Sequence, residues 1–209
     1  MSKQFWDDRY SKEAFAYGEG PNEFLKTHLH QIKPGKILFP AEGEGRNAVY
    51  AASLGWDATA FDITTVGRQK ANILSSRHGV FIDYQICSAL DFEYEAEHYD
   101  VVALVYAHFP TDIKLYFHDQ VTNCLKPGGM IILEAFSLEN LEYQKVNPYV
   151  GGPSDPGMLY TVDEIVSSFP LFESVYLKQE VVELHEGVYH NGIGSVIRYV
   201  GVKKEKPSE

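Results

Sequence analysis

The stretch Ile37–Asp62, ILFPAEGEGRNAVYAASLGWDATAFD, constrains this chain more than any other. It reads as a short apolar strand, a glycine turn, a helix and a second strand ending in an acid. Gly43 and Gly45 give the backbone freedom to approach a ligand where a side chain would intrude. The helix that follows is expected to offer unpaired N–H groups toward it. Asp62, at the tip of the second strand, is placed to accept both hydroxyls of a ribose. The pattern predicts a pocket for an adenosine-containing molecule.

Around this core the apolar runs alternate with helical patterns. Strands are expected at 36–40, 57–62, 80–86, 99–105 and 129–135, and helices at 45–54, 65–78 and 112–124. Such alternation builds a parallel sheet covered on both faces through right-handed crossovers. Residues 1–35 precede it, with scattered aromatic residues and a helix near Glu23–Ile32 stopped by Lys33-Pro34-Gly35. After the sheet come a short helix at Leu138–Gln144, a Pro/Gly loop at Asn147–Gly157, and a helix opened by Thr161-Val-Asp-Glu164 as a capping box. Two β-rich runs follow, Phe172–His185 and Ile193–Lys203, joined by a polar turn containing Gly187 and Gly192 and expected to pair antiparallel. The expected fold is therefore α/β: a Rossmann-like, doubly wound sheet of about seven strands, mostly parallel, closed by a C-terminal antiparallel hairpin. One domain over 1–203 and a flexible tail at 204–209 complete the expectation.

Composition excludes several classes. Lys+Arg 18 against Asp+Glu 29 leaves a formal net charge of -11, which disfavours nucleic acid and anionic membrane as partners. Cys87 and Cys124 are too few for a disulfide framework and lack metal-ligand spacing. The histidines likewise show no spacing for a metal, and none is expected. Without a secretory leader or a long apolar run, the expected location is cytoplasmic.

The turn alone leaves alternatives open, since Gly43-Glu44-Gly45-Arg46-Asn47-Ala48 also satisfies the dinucleotide fingerprint of an NAD(P)-dependent oxidoreductase. Three features weigh against that rival. A helix and an aromatic segment precede the first strand, Glu42 would repel a pyrophosphate but suit a cation, and the chain ends in a hairpin. Over nearly its whole length the chain resembles the class I S-adenosylmethionine-dependent methyltransferases. The matching pieces are Ile37–Gly45, Asp62, Tyr99-Asp100-Val-Val and Leu125-Lys-Pro-Gly-Gly129. The opening Phe5–Tyr10, with Tyr17-Gly18 and Pro21–Leu25, looks like the lid of the small bacterial type, which includes the tellurite-resistance and thiopurine methyltransferase group.

The resemblance implies S-adenosylmethionine as methyl donor, S-adenosylhomocysteine as product, and a small-molecule acceptor such as a thiol or metalloid oxyanion, in a monomer or homodimer. A non-catalytic S-adenosylmethionine-binding protein is the alternative from another class. Donor-binding candidates are Ala41, Glu42, Gly43, Gly45, Arg46, Asn47, Asp62, Ile63, Ser88, Ala89, Leu90, Val105 and Tyr106. Relatives usually carry an acid at the position of Phe39, so Glu42 is assigned the donor's ammonium instead; Ser88 or the backbone of Ala89 and Leu90 takes the adenine. Arg46 either meets the donor's carboxylate or pairs with a nearby acid. His108, at the end of the fourth strand, is a candidate base or else a spacer bonded to backbone. Tyr17 is the second catalytic candidate, through the sulfonium. Trp6, Tyr10, Glu134, Gly152 and His190 are candidates for the acceptor side.

These expectations separate cleanly in a thermal-shift panel. S-adenosylhomocysteine raises the melting temperature, whereas NAD and NADP leave it unchanged; the reverse pattern returns the chain to the oxidoreductases.

Overall fold

The computed structural model describes residues 2–205; of the expected tail at 204–209, residues 206–209 lie outside the described residues. Seven strands form one sheet in the order β3-β2-β1-β4-β5-β7-β6. These are β1 Lys36–Pro40, β2 Asp57–Asp62, β3 Asp83–Ile86, β4 Tyr99–Val105, β5 Leu125–Phe136, β6 Phe172–Glu186 and β7 His190–Lys203. The first five run parallel, and β7 joins β5 and β6 antiparallel. The expected Rossmann-like architecture is what the chain adopts.

Alternation along β1 shows why the sheet is covered twice. Ile37 and Phe39 point into a core with Leu25 and Leu29 of α2 (Glu23–Leu29), Ala48 and Val49 of α3 (Arg46–Ser53), and Ala71 and Leu74 of α4 (Thr65–His78). Leu38 points the other way, into a core with Phe117 and Val121 of α5 (Thr111–Cys124) and Ile165 of α7 (Val162–Ser168). A third cluster, around Phe136, Val150, Leu159, Leu184 and Val196, sits beneath the Pro/Gly loop. α6 (Asn140–Val146) lies between β5 and that loop, two residues later than the expected helix at 138–144.

Further boundaries differ from expectation for identifiable reasons. β3 starts at Asp83, so Val80–Ile82 remain outside the sheet, and Val80 N–H instead returns to Ser75 at the end of α4. β5 begins at Leu125 because Tyr99 of β4 pairs with it; the register then shifts before Val101 meets Met130, and Gly128 between them takes φ 74°. The hairpin turn is shorter than its glycines suggest. Glu186 pairs with His190, leaving Gly187-Val-Tyr189 as the turn, and Gly192 lies inside β7 opposite Leu184.

The N-terminal segment contains a helix that its scattered aromatic residues do not announce, α1 (Lys3–Tyr10), capped by the Ser2 side chain accepting from Phe5 N–H. The turn between β1 and α3 is left-handed at Ala41, Gly43 and Gly45, with φ of 52°, 64° and 85°. At Gly45 a Cβ would also lie 2.5 Å from the Cβ of Ala71. Its freedom therefore serves the packing of α3 on α4, a different purpose from the ligand approach expected at this position. Gly45→Ala is expected to destabilise the fold by about 2–4 kcal/mol, the sum of a left-handed non-glycine residue and overpacking. Urea denaturation measures this, and a change under 1 kcal/mol contradicts the close packing.

Candidate active site

The carboxyl ends of β1, β2, β4 and β5 open into one cavity of about 740 Å³, the size of a site for a drug-sized molecule. Ala41, Glu42, Arg46, Asn47, Asp62, Ile63, Ser88, Ala89, Leu90, Val105 and Tyr106 all line it. Trp6, Tyr10, Tyr17, His108, Gly152 and His190 do so as well. Of the candidates read from the sequence, Gly43, Gly45 and Glu134 do not.

Asp62 is held in place by backbone. Its Oδ2 accepts from Gly43 N–H at 3.0 Å and its Oδ1 from Thr64 N–H at 3.0 Å. The side chain is buried at the cavity wall, and burial raises its pKa above the ordinary value while those N–H groups oppose the rise. Gly43 does not present open space to a ligand: a Cβ there would meet the Tyr10 hydroxyl at 2.5 Å. The glycine admits the lid, and the lid covers the turn.

Glu42 performs a task that sequence reasoning does not supply. Its Oε1 accepts from Asn47 N–H and Ala48 N–H, each at 2.8 Å, and its Oε2 accepts from Asn47 Nδ2 at 3.3 Å. Two of the N–H groups expected to face a ligand are thus taken by a carboxylate of the same turn. Burial pushes the Glu42 carboxyl up to about 7 despite those bonds. Glu44 points the opposite way, pairing with Lys70 at 2.8 Å and accepting from Ala16 N–H at 2.7 Å, so that it fastens the lid to α4.

The lid is layered aromatic packing. Trp6 stacks on Tyr10 with centroids 5.6 Å apart, and Tyr10 meets Tyr17 edge-on at 6.5 Å. Arg9, which the sequence reading passed over, donates to the Tyr17 hydroxyl at 2.8 Å and lies over the ring of Tyr189 on the hairpin turn. Val188 N–H bonds Ala16 O, joining the hairpin turn to the lid directly.

Beneath the cavity lies a buried polar network. Asn22 Nδ2 donates to Glu134 Oε1 at 2.7 Å and to Glu186 Oε1 at 2.9 Å, while Asn22 N–H donates to Asn47 Oδ1. Tyr106 donates its hydroxyl to Glu134 Oε1, and Arg198 Nε donates to Glu134 Oε2. Arg46 pairs with Glu186 at 2.6 Å, which is the second of its two expected roles. Glu134 is consequently a structural acid inside the protein and not an acceptor contact.

His108 requires a similar correction. Its Nδ1 bonds Met158 O at 2.8 Å, and its Nε2 accepts from Phe136 N–H at 3.2 Å. Both nitrogens are committed to backbone, and burial lowers its pKa to about 4. The ring thereby joins β5 to the segment after the Pro/Gly loop while lining the cavity. Ser88 also spends its hydroxyl proton locally, on Asp91 Oδ2 at 2.6 Å.

The far side of the cavity is apolar: Phe109, Pro110, Ile113, Phe136 and Met158, with Ser154 and Asp155 at its rim. Phe109, Pro110 and Ile113 come from the start of α5, Phe136 from the end of β5, and Ser154, Asp155 and Met158 from the Pro/Gly loop and its exit, where no motif marks them in sequence.

Residues 37–129 match the family model described as a methyltransferase domain. That match spans 93 of the 209 residues, from β1 to the first residues of β5. Solved structures agree at the level of fold. A protein of echinomycin biosynthesis, associated with conversion of a disulfide bond into a thioacetal group, superposes with TM-score 0.77 at 15% identity, covering 99% of this chain and 94% of its own. TehB from Haemophilus influenzae gives TM-score 0.71 at 16% identity, covering 97% and 67% respectively. The 1,6-didemethyltoxoflavin-N1-methyltransferase of Burkholderia thailandensis, solved with its substrate and S-adenosylhomocysteine, gives 0.59 at 15%, covering 88% and 76%. No curated protein matches this sequence.

In this protein the Glu42 carboxyl sets a pH signature. Its unfolded value is 4.5 and its folded value about 7, so the native state binds the extra proton between them. The stability owed to the protonated form is complete below pH 4.5 and lost as pH rises through 7, by up to about 3 kcal/mol. Glu42→Gln is expected to flatten that part of the stability–pH curve between pH 5 and pH 8, measured by urea denaturation. An unaltered slope would show that Glu42 titrates normally.

Proposed function

We propose that this protein is a methyltransferase that transfers the methyl group of S-adenosylmethionine to a small organic acceptor bound at the apolar end of the cavity. The observation that carries this reading is the sharing of one cavity by the Asp62 and Glu42 carboxylates, the aromatic lid and the Phe109–Ile113 wall. The donor set suits a cationic nucleoside. Asp62 would hold the ribose hydroxyls through the acceptor capacity left beyond its two backbone bonds. Glu42 would hold the ammonium through Oε2, whose own bond at 3.3 Å is long. Ile63 and Ala89 offer an apolar surface for adenine, with the backbone of Leu90 beside it.

The donor supplies an activated methyl and a neutral leaving sulfur, so alignment and exclusion of water are what the protein must add. Tyr17, Tyr10 and Trp6 present ring faces that stabilise a sulfonium without an opposing charge. Tyr17 is held for this by Arg9 on its hydroxyl and by the ring of His190, 4.4 Å away. The apolar far wall favours an organic acceptor such as a thiol over a bare metalloid oxyanion, whose burial there would leave its charge unpaired.

Calorimetry with S-adenosylhomocysteine tests the donor half. Wild type is expected to bind, and Asp62→Asn to lose at least about tenfold in affinity, the worth of one charge-assisted hydrogen bond. A urea melt of the same variant monitors folding. Unchanged affinity in a folded Asp62→Asn protein would remove the ribose assignment.

A further inference from the structure

His190 stands apart from His108, the other histidine that lines the cavity. It opens β7 immediately after the hairpin turn, and its buried ring is enclosed by Tyr17 at 4.4 Å, Tyr106 at 4.2 Å and Phe136 at 5.2 Å. Gly151, left-handed at φ 87°, brings the Pro/Gly loop against the ring edge, where a Cβ would lie 2.6 Å from Cδ2. Nδ1 faces Glu186 Oε2 at 3.5 Å, across the three-residue turn. Glu186 is itself fixed by Arg46 at 2.6 Å and by Asn22 at 2.9 Å.

Nε2 has no hydrogen-bond partner among the described residues, yet it is not among the sealed, unsatisfied nitrogens of the interior. The ring lines the cavity, and its Cδ2–Nε2 edge runs along Gly151, where a Cβ would stand 3.1 Å from Nε2. The contrast with His108, both of whose nitrogens are taken by backbone, assigns the two rings different work.

We propose that His190 Nε2 is the base that takes the proton from the methyl acceptor, so that the acceptor is a weakly acidic O–H or S–H, still protonated at neutral pH, carried on an apolar body. The inference rests on the methyl-transfer reading above. Glu186 is a positioning residue: it accepts from Nδ1–H, fixes the tautomer that leaves Nε2 unprotonated, and stabilises the imidazolium that forms. The acceptor's X–H proton passes to Nε2 as the lone pair on X bonds to the methyl carbon. The sulfur–methyl bonding pair stays on sulfur, giving the neutral thioether and the methylated product. An acceptor already anionic would need no such base.

The surroundings keep the ring neutral before reaction. Burial lowers the His190 pKa, aided by the charges of Arg46 and Arg9 and opposed by Glu186. The other titratable groups facing it are Tyr17, Tyr106, Tyr189 and His108. Both tyrosines that touch the ring have pKa values raised by burial and remain neutral.

Two measurements decide the matter. In the first, His190→Asn, which retains a donor toward Glu186 and lacks Nε2, is assayed on phenols and thiols of graded acidity by S-adenosylhomocysteine release. The loss is expected to be about 100-fold or more for the least acidic acceptors. It should shrink as the acceptor's own pKa falls below the assay pH, leaving only the smaller loss that all acceptors share through the packing of Tyr17 on the ring. A loss independent of acceptor acidity, or no loss, overturns the proposal. The second, ¹⁵N NMR of wild type at pH 7 with and without S-adenosylhomocysteine, is expected to show Nδ1 protonated and Nε2 bare, with Glu186→Gln disturbing that tautomer. An Nε2–H tautomer or an imidazolium overturns the proposal even if no acceptor in the series is methylated. Failure of S-adenosylhomocysteine to bind wild type would instead strike the underlying methyl-transfer reading.

Discussion

The bond from Gly43 N–H to the Asp62 carboxylate is the constraint on which the site depends. It joins the loop after β1 to the end of β2, two strands paired side by side, and the second carboxylate oxygen closes on Thr64 N–H at the start of α4. One buried acid thereby sets the left-handed turn, the entry into a helix and the wall of the cavity. The turn in turn places Glu42 on the N-terminus of α3 and Glu44 under the lid. The two acids of the Glu42-Gly-Glu44 run point in opposite directions because a left-handed glycine lies between them.

A second constraint ties distant segments together. Asn22 from the N-terminal segment, Tyr106 after β4, Glu134 from β5, and Glu186 and Arg198 from the hairpin share a single hydrogen-bonded network. Removing one member would leave a buried charge or donor without its partner, a cost of several kcal/mol. Full satisfaction explains why these groups are tolerated so close to the core. It also means that the lid, the sheet and the hairpin turn hold their relative positions through polar contacts as well as packing. His190 inherits its geometry from this arrangement, since Glu186 belongs both to the network and to the histidine.

Local patterns in the sequence carried the architecture. Alternation in Ile37–Phe39, the Thr161 N-cap and the paired β-rich runs each depend on neighbours in the chain, and each appears where expected, though the Glu164 carboxylate of the expected capping box pairs with Lys114. The turn chemistry was legible as well: Asp62 and the left-handed glycines are where the motif places them. What the sequence withheld were side-chain partners far along the chain. Glu134 is committed to Arg198, 64 residues away, and His108 to the carbonyl of Met158, 50 residues away; no periodicity encodes either pairing. Gly45 was legible as obligatory, but the Ala71 methyl that makes it so belongs to the next helix. The apolar wall of Phe109, Ile113 and Met158 left no signal, because such residues are indistinguishable in sequence from ordinary core.

A crystal structure of the protein grown with S-adenosylhomocysteine tests the central claim most directly. The account predicts the product in the cavity at the ends of β1, β2 and β4, its ribose hydroxyls on Asp62, its amino group on Glu42, and its sulfur turned toward Tyr17 and His190. A product molecule bound elsewhere, or one whose ribose is held without Asp62, would contradict it.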